Sequence, residues 1–251
     1  MKELIKLNIT TVQGIIINEK PYSETSKLLT IITKEYGSIS VLAKGAKSIK
    51  SKIRTVTTRL TYANFQIKYR EGKLSTLICA DIINPFNNIK SNLSKISYCS
   101  YILELTNQVL KQNYNSKIFD LLVEALLKIE ESIDEELITN ILELKYLNYL
   151  GINPNFDTCS ICNNSKVITA SVEKGGFVCV NHVKNERILN PKTLKLLRML
   201  YYIDINKITK INISNEIKVE INEYIDEYYS KYTGLYLNTK QFLKKIKQIS
   251  L

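Results

Sequence analysis

Cys159-Ser-Ile-Cys162 is followed, after a gap of sixteen residues, by Cys179-Val-Asn-His182, and the two pairs use three of the chain's five cysteines and its only histidine. A two-residue spacing lets both side chains of a pair turn onto one ion. A second pair across a loop then completes the tetrahedron that structural zinc requires. Gly175-Gly176, just before the second pair, permits the tight turn that brings it against the first. With four protein ligands and no open position, such a knuckle supports a fold rather than a reaction; with water in place of His182 it would be labile. A redox Cys-x-x-Cys pair and three unconnected thiols are the competing readings, and neither accounts for a lone histidine at ligand spacing.

The chain around this module is 251 residues long and 45% apolar, enough for two small domains or one larger one with a real core. No run approaches the ~20 apolar residues of a membrane span, and Met1-Lys2-Glu3-Leu4 starts no signal-peptide stretch, so a cytosolic protein without membrane contact is expected. Cys79 and Cys99 lie in apolar stretches and are expected in the core, reduced. The net charge of +11 is unevenly spread: residues 1–83 carry +8, residues 84–158 carry −4 and residues 159–251 carry +7. A polyanion would be drawn to the two ends rather than the centre, although a basic surface also serves solubility.

Five short stretches rich in β-branched residues, at 11–17, 27–33, 38–43, 61–69 and 73–80, predict strands, with hairpin turns at Tyr36-Gly37-Ser38 and Arg70-Glu71-Gly72-Lys73. They fit a small closed barrel such as the oligonucleotide/oligosaccharide-binding (OB) fold, and an open sheet or SH3-like barrel would give a similar pattern. Beyond Pro85 the period changes: Ile118, Leu121, Leu122, Ala125, Leu126 and Ile129 recur at helical spacing, and a further helix through Ile141, Leu144, Leu147 and Leu150 is stopped by Gly151 and Pro154. Asn190-Pro191-Lys192 opens another helix, residues 215–232 a long one, and residues 239–249 form a basic C-terminal piece. The expected chain is α+β: a five-stranded OB-fold barrel at 1–83, a helical domain at 84–158, an inserted zinc-knuckle module at 159–189, and the rest of the helical domain at 190–251.

Lys44, Lys47, Lys50, Lys52 and Arg54 put five cations into eleven positions directly after a predicted strand, a loop able to lie along a phosphate backbone, with Gly45 allowing close approach. Lys27, Arg59, Lys68 and Arg70 are expected to extend that surface. Tyr22, Tyr36, Tyr62, Phe65 and Tyr69 are candidates for base stacking, with core packing the commoner fate of strand aromatics. Glu130, Glu131, Asp134, Glu135 and Glu136 read as a solvated helix end and loop. With His182 assigned to metal there is no free histidine, no phosphate-binding P-loop and no HExxH, which points away from an enzyme.

Gly14-Ile15-Ile16-Ile17, Tyr22-Ser23-Glu24-Thr25-Ser26-Lys27-Leu28-Leu29-Thr30, Thr33-Lys34-Glu35-Tyr36-Gly37, Ala43-Lys44-Gly45-Ala46-Lys47 and Gly151-Ile152-Asn153-Pro154 leading into the Cys-x2-Cys resemble, in that order, the bacterial recombination-mediator family RecO. The resemblance covers nearly the whole chain. It implies an N-terminal OB fold, a helical domain with a zinc module, and a non-enzymatic role in DNA repair. That role is to bind single- and double-stranded DNA, anneal complementary strands, and act with RecR to help RecA load on strands coated by single-strand binding protein (SSB), in the cytoplasm at the nucleoid. His182 stands where many zinc-bearing members have a fourth cysteine. The resemblance further implies a groove for the acidic, hydrophobic SSB tail, for which charge and spacing suggest Lys192, Lys195 and Arg198. A zinc-containing scaffold and an RNA-binding protein remain the alternatives.

Overall fold

Gly14-Ile15-Ile16-Ile17 lies in a strand long enough to serve two neighbours. The computed structural model describes residues 8–249; Met1-Lys2-Glu3-Leu4 lies outside them. Strand β1 (Asn8–Pro21) pairs antiparallel through its first half with β4 (Tyr62–Tyr69) and through its second half with β2 (Lys27–Thr33). The remaining strands are β3 (Gly37–Ala43) and β5 (Ser75–Asn84), and the order β1-β2-β3-β5-β4 closes on itself as a five-stranded barrel. That is the expected OB-type architecture: β2 has its predicted limits, β3 and β4 differ by one residue at their starts, β1 reaches beyond 11–17 at both ends, and β5 is shifted from 73–80 toward Asn84.

A bulge between Ile16 and Asn18 bends β1 where it passes from one partner to the other. Gly14 pairs with both Thr33 and Ala63, and a Cβ there would stand 2.7 Å from Ile31 Cγ2 and 2.9 Å from the Ile32 carbonyl oxygen. Val12, Ile16, Leu29, Ile31, Val41, Phe65 and Ile67 fill the interior. The apolar run of β1 is continuous because both faces are covered: Ile15 and Ile32 are also fully buried. Tyr62 stacks on Phe86 at 6.4 Å beside helix α1 (Asn87–Lys90), and helix α2 (Leu93–Gln112) packs against β1 and β3.

Cys99 is buried in α2 as expected, but Cys79 is exposed, donating to Gln66 Oε1 at 3.3 Å. A register shift between Gln66 and Ile67 breaks the alternation of β5, so Ile78 and Cys79 both face outward.

The chain divides into two compact units between Val123 and Glu124, within helix α3 (Ser116–Glu130), so that α1 and α2 belong with the barrel. In the second unit, α4 (Glu135–Tyr149), α5 (Pro191–Tyr202) and α6 (Asn215–Tyr232) pack on one another, and α7 (Asn238–Ile249) follows. Asp134 is not a solvated loop residue. Its Oδ1 accepts from the backbone N–H groups of Glu136 and Leu137, capping α4, and its other oxygen binds Lys218 Nζ at 2.6 Å. Glu136 accepts from Asn222 at 2.8 Å, so the acidic entry to α4 is spent on anchoring α6. Lys240 makes the second tie, to Glu143 at 2.9 Å and Asp226 at 2.5 Å. Asn190 caps α5 with Pro191 in its first turn, as the sequence predicts. Among the described residues no helix is long and apolar enough to cross a membrane.

Gly14→Ala is expected to destabilise the barrel by about 1–3 kcal/mol, since Cβ meets a backbone oxygen that cannot move without opening the β1–β2 ladder. The check is a lower denaturant midpoint at unchanged m-value.

Candidate functional site

Two features stand out from this frame: a thiol-histidine cluster and a basic loop. The cluster is built on β6 (Thr169–Ser171) and β7 (Gly176–Val178), a two-stranded hairpin. Gly175 has φ +71° and Gly176 +149°, and a Cβ on Gly176 would lie 2.2 Å from the Asn155 carbonyl oxygen. Only glycine lets the hairpin close against Asn155, whose N–H donates to the Gly175 carbonyl at 2.9 Å and whose carbonyl accepts from the Phe177 N–H at 2.8 Å. Phe156 then locks the module down: its ring centroid lies 5.0 Å from Phe177, 5.3 Å from Tyr201 on α5 and 5.8 Å from Tyr224 on α6.

This folding gathers Cys159, Cys162, Cys179 and His182, whose ligand atoms all lie within 4.8 Å of one another. Cys162 and Cys179 sulfurs are 3.7 Å apart, and His182 Nδ1 is 3.3 Å from Cys179 Sγ and 3.6 Å from Cys159 Sγ. The edges of a tetrahedron with metal–sulfur near ~2.3 Å and metal–nitrogen near ~2.0 Å are ~3.8 and ~3.5 Å, so the four groups can hold one ion. Burial works against ionising Cys159, but the backbone N–H groups of Ile161, Cys179 and Cys162 and the Cys179 thiol outweigh it and bring the group down to about 6. The Asn164 N–H favours the Cys162 thiolate, yet desolvation and the neighbouring sulfurs leave that thiol raised. Without metal the cluster thus accommodates one negative charge readily and resists the next, a charge arrangement that a divalent cation relieves.

All five loop cations, Lys44, Lys47, Lys50, Lys52 and Arg54, are exposed. The loop is a succession of turns, with Ser48, Ser51 and Arg54 N–H groups donating to the carbonyls three residues earlier. It is pinned at its start by the Lys47 N–H donating to the Thr25 carbonyl at 2.8 Å and by Ala46, and near its end by Ile53, both packing on the barrel core. Gly45 has φ +70° with open space where its Cβ would be.

The other predicted cations separate into two groups. Lys68 and Arg70 are exposed at the end of β4. Lys27 is paired with Glu19 and donates to the Thr57 carbonyl at 3.1 Å. Arg59 donates from Nε to the Ile17 carbonyl at 2.9 Å, its guanidinium desolvated enough to lower its pKa. Both ammonium and guanidinium are engaged by groups of the protein itself.

Lys192 and Lys195 are exposed on α5 and line a groove of about 440 Å³ with Leu196, Ile213 and Ile217. Arg198 instead donates to the carbonyls of Phe156 and Asp157, the latter at 2.8 Å, and covers the Phe177 ring. Tyr62 and Phe65 are buried, while Tyr22 and Tyr36 are exposed and Tyr36 stacks on Tyr69. Lys73, not singled out as a site residue from sequence, joins Arg70 of the same turn beside that stack, and it is Tyr36, from the turn before β3, that no local pattern connects to them.

Stripping metal with a strong chelator, or Cys179→Ser, is expected to lower the unfolding midpoint by more than about 5 °C, read by calorimetry alongside metal content. Acid acts on the same module through Glu186, whose carboxyl Lys174 and the Lys184 N–H hold down to about 2, below its ordinary 4.5. A depressed carboxyl stabilises the fold above its unfolded value and loses that contribution as pH falls from 4.5 toward 2. Glu186→Gln should therefore flatten the pH dependence of unfolding across that window.

Comparison with known proteins gives the family. Residues 7–86 match the family described as Recombination protein O N terminal, and residues 90–241 match Recombination protein O C terminal. The DNA repair protein RecO of Bacillus cytotoxicus (strain DSM 22905 / CIP 110041 / 391-98 / NVH 391-98) is 33% identical over 245 residues, covering 96% of this chain and 98% of the relative. The DNA repair proteins RecO of Bacillus mycoides (strain KBAB4) and Bacillus cereus (strain AH187) are each 32% identical with the same coverage. A barrel of this strand order, a helical unit carrying a thiol-histidine cluster, and similarity along almost the full length together place the chain in the RecO family of DNA repair and recombination proteins.

Proposed function

We propose that the protein is a non-enzymatic recombination mediator that binds single- and double-stranded DNA through its barrel and anneals complementary strands. The observation that carries this reading is the exposed run of five cations at 44–54, pinned to a five-stranded barrel of the OB type. Phosphates of one strand held by Lys44, Lys47, Lys50, Lys52 and Arg54 repel a second strand less, and base pairing then completes the reaction without nucleotide hydrolysis. Lys68 and Arg70 extend the surface; Lys27 and Arg59 are held by Glu19 and by backbone carbonyls. Zinc is the ion we assign to Cys159, Cys162, Cys179 and His182, since a Cys3His donor set suits a structural zinc site, and its role is to hold the module rather than to touch DNA.

RecR as partner, delivery of RecA to SSB-coated strands, and work at the nucleoid in the cytoplasm follow from the family reading. The groove bearing Lys192 and Lys195 has what an acidic, hydrophobic SSB tail needs: apolar walls in Leu196, Ile213 and Ile217, and cations for a terminal carboxylate.

Converting Lys44, Lys47 and Lys50 to Ala should weaken DNA binding evenly across sequences and reduce the salt slope by about 0.7–0.9 for each phosphate no longer neutralised. Titration of labelled single strands over a salt series measures both, and an unchanged slope removes the loop from the binding surface. Preference for RNA of the same sequence in competition would instead favour an RNA-binding protein.

A further inference from the structure

The barrel is closed unevenly. Strand β3 pairs with β5 only at Val41–Ser75 and Leu42–Thr76, so the edge of β3 from Gly37 to Ser40 faces the β4–β5 turn across a groove of about 590 Å³. Tyr36 and Tyr69 stand together at this groove, ring centroids 4.0 Å apart and planes 14° from parallel. Tyr69 packs against the barrel core, while Tyr36 keeps 40% of its surface exposed. The charged residues of the lining are Arg70 and Lys73, with Tyr22 also lining it. Glu71 lies in the same turn, and burial, then Glu71, raises the Tyr69 hydroxyl above its ordinary pKa.

The turn that carries Tyr36 is fixed in advance. Its N–H donates to Thr33 Oγ1 at 3.1 Å, and the Thr33 hydroxyl donates to the Gly37 carbonyl at 2.9 Å. Gly37 has φ +63° and lies so close to the Tyr114 ring that a Cβ would meet it at 3.2 Å, and the Tyr114 hydroxyl donates to the Lys34 carbonyl at 2.9 Å. An aromatic ring held rigid and half open, with cations beside it, is a stacking platform whose ordering cost is already met.

We propose that the Tyr36–Tyr69 pair receives an unpaired nucleic-acid base, making this groove the element that distinguishes single strands from duplex. The proposal rests on the DNA-binding reading above and adds to it a division of labour. Phosphates are common to both forms of DNA, so the 44–54 loop grips either. A π-face is free only where bases are unstacked, so the tyrosine groove engages single strands alone. When a held strand finds its complement its bases withdraw into the duplex, the platform gives up its ligand, and the product stays attached by phosphate contacts only.

The chain contains no tryptophan, so Tyr36→Trp installs a single reporter. Three probes of equal length are compared: a thymine single strand, the same backbone with abasic residues, and a duplex. Reporter fluorescence quenched by the thymine strand, but not by the abasic strand or the duplex, is the expected result. Tyr36→Ala should reduce single-strand affinity by about 5- to 150-fold while leaving duplex affinity and the salt slope unchanged. Tyr36→Phe, which keeps the ring, should bind like the parent and shows that the turn still folds. Equal affinity of the parent for abasic and thymine strands, or equal loss of single-strand and duplex binding in Tyr36→Ala, overturns the proposal while DNA binding itself stands. A parent protein that binds none of the three probes overturns the DNA-binding reading instead.

Discussion

Closing five strands into a barrel requires one of them to belong to both edges of the sheet, and here that strand is β1. Its fourteen residues bend at a bulge and pass two partners, and the passage works because Gly14 brings no Cβ into the space between Ile31 and the Ile32 carbonyl. Everything proposed for the barrel depends on this crossing. It sets the register of β2, which places the Thr33–Gly37 turn, and the register of β4, which ends at Tyr69. It also presents Glu19 to Lys27 and the Arg59 N–H, tying β1 to β2 and to the segment before β4.

The second unit solves a different problem, since the thiol-histidine module has too few apolar residues for a core of its own. Cys159, Val178 and Cys179 form a small buried cluster with Val167 against it. The missing cohesion comes from the four gathered ligand atoms and from Phe156, whose ring connects the module to α5 and α6. Arg198 fits this picture: its guanidinium fork takes up the carbonyls that the turn after Pro154 leaves without strand partners.

Features whose physics is local can be read from the sequence. The two ligand pairs, the capped start of α5 at Asn190-Pro191 and the limits of α6 are set by residues within one or two turns of each other. Strand positions are legible for the same reason, but the facing of β5 is not, because one bulge sends Cys79 to the surface and no local pattern encodes it. Charge is legible as a local density and not residue by residue. Lys27, Arg59 and Arg198 look like Lys44 or Lys195 in sequence, and only the fold shows that carbonyls and a carboxylate distant along the chain have claimed them. Asp134 and Glu136 pass for solvated acids in the same way, since their partners Lys218 and Asn222 lie more than eighty residues on. The Tyr36–Tyr69 stack brings together residues from two separate turns and leaves no periodic trace.

The ties between α4 and the last helices have a consequence for biosynthesis. The barrel strands all lie before residue 85, so the barrel can assemble once its own segment has left the ribosome, whereas the thiol-histidine cluster, though it lies within one stretch of twenty-four residues, still awaits the contacts of Phe156 with α5 and α6. The carboxylates of Asp134, Glu136 and Glu143 wait much longer, because Lys218 and Lys240 are made last. Until α6 follows, the face of α4 that it covers stays open. Between making Asp134 and making Lys240 the growing chain thus holds apolar surface that its last helices have yet to cover, and a ribosome pausing there would lengthen that exposure.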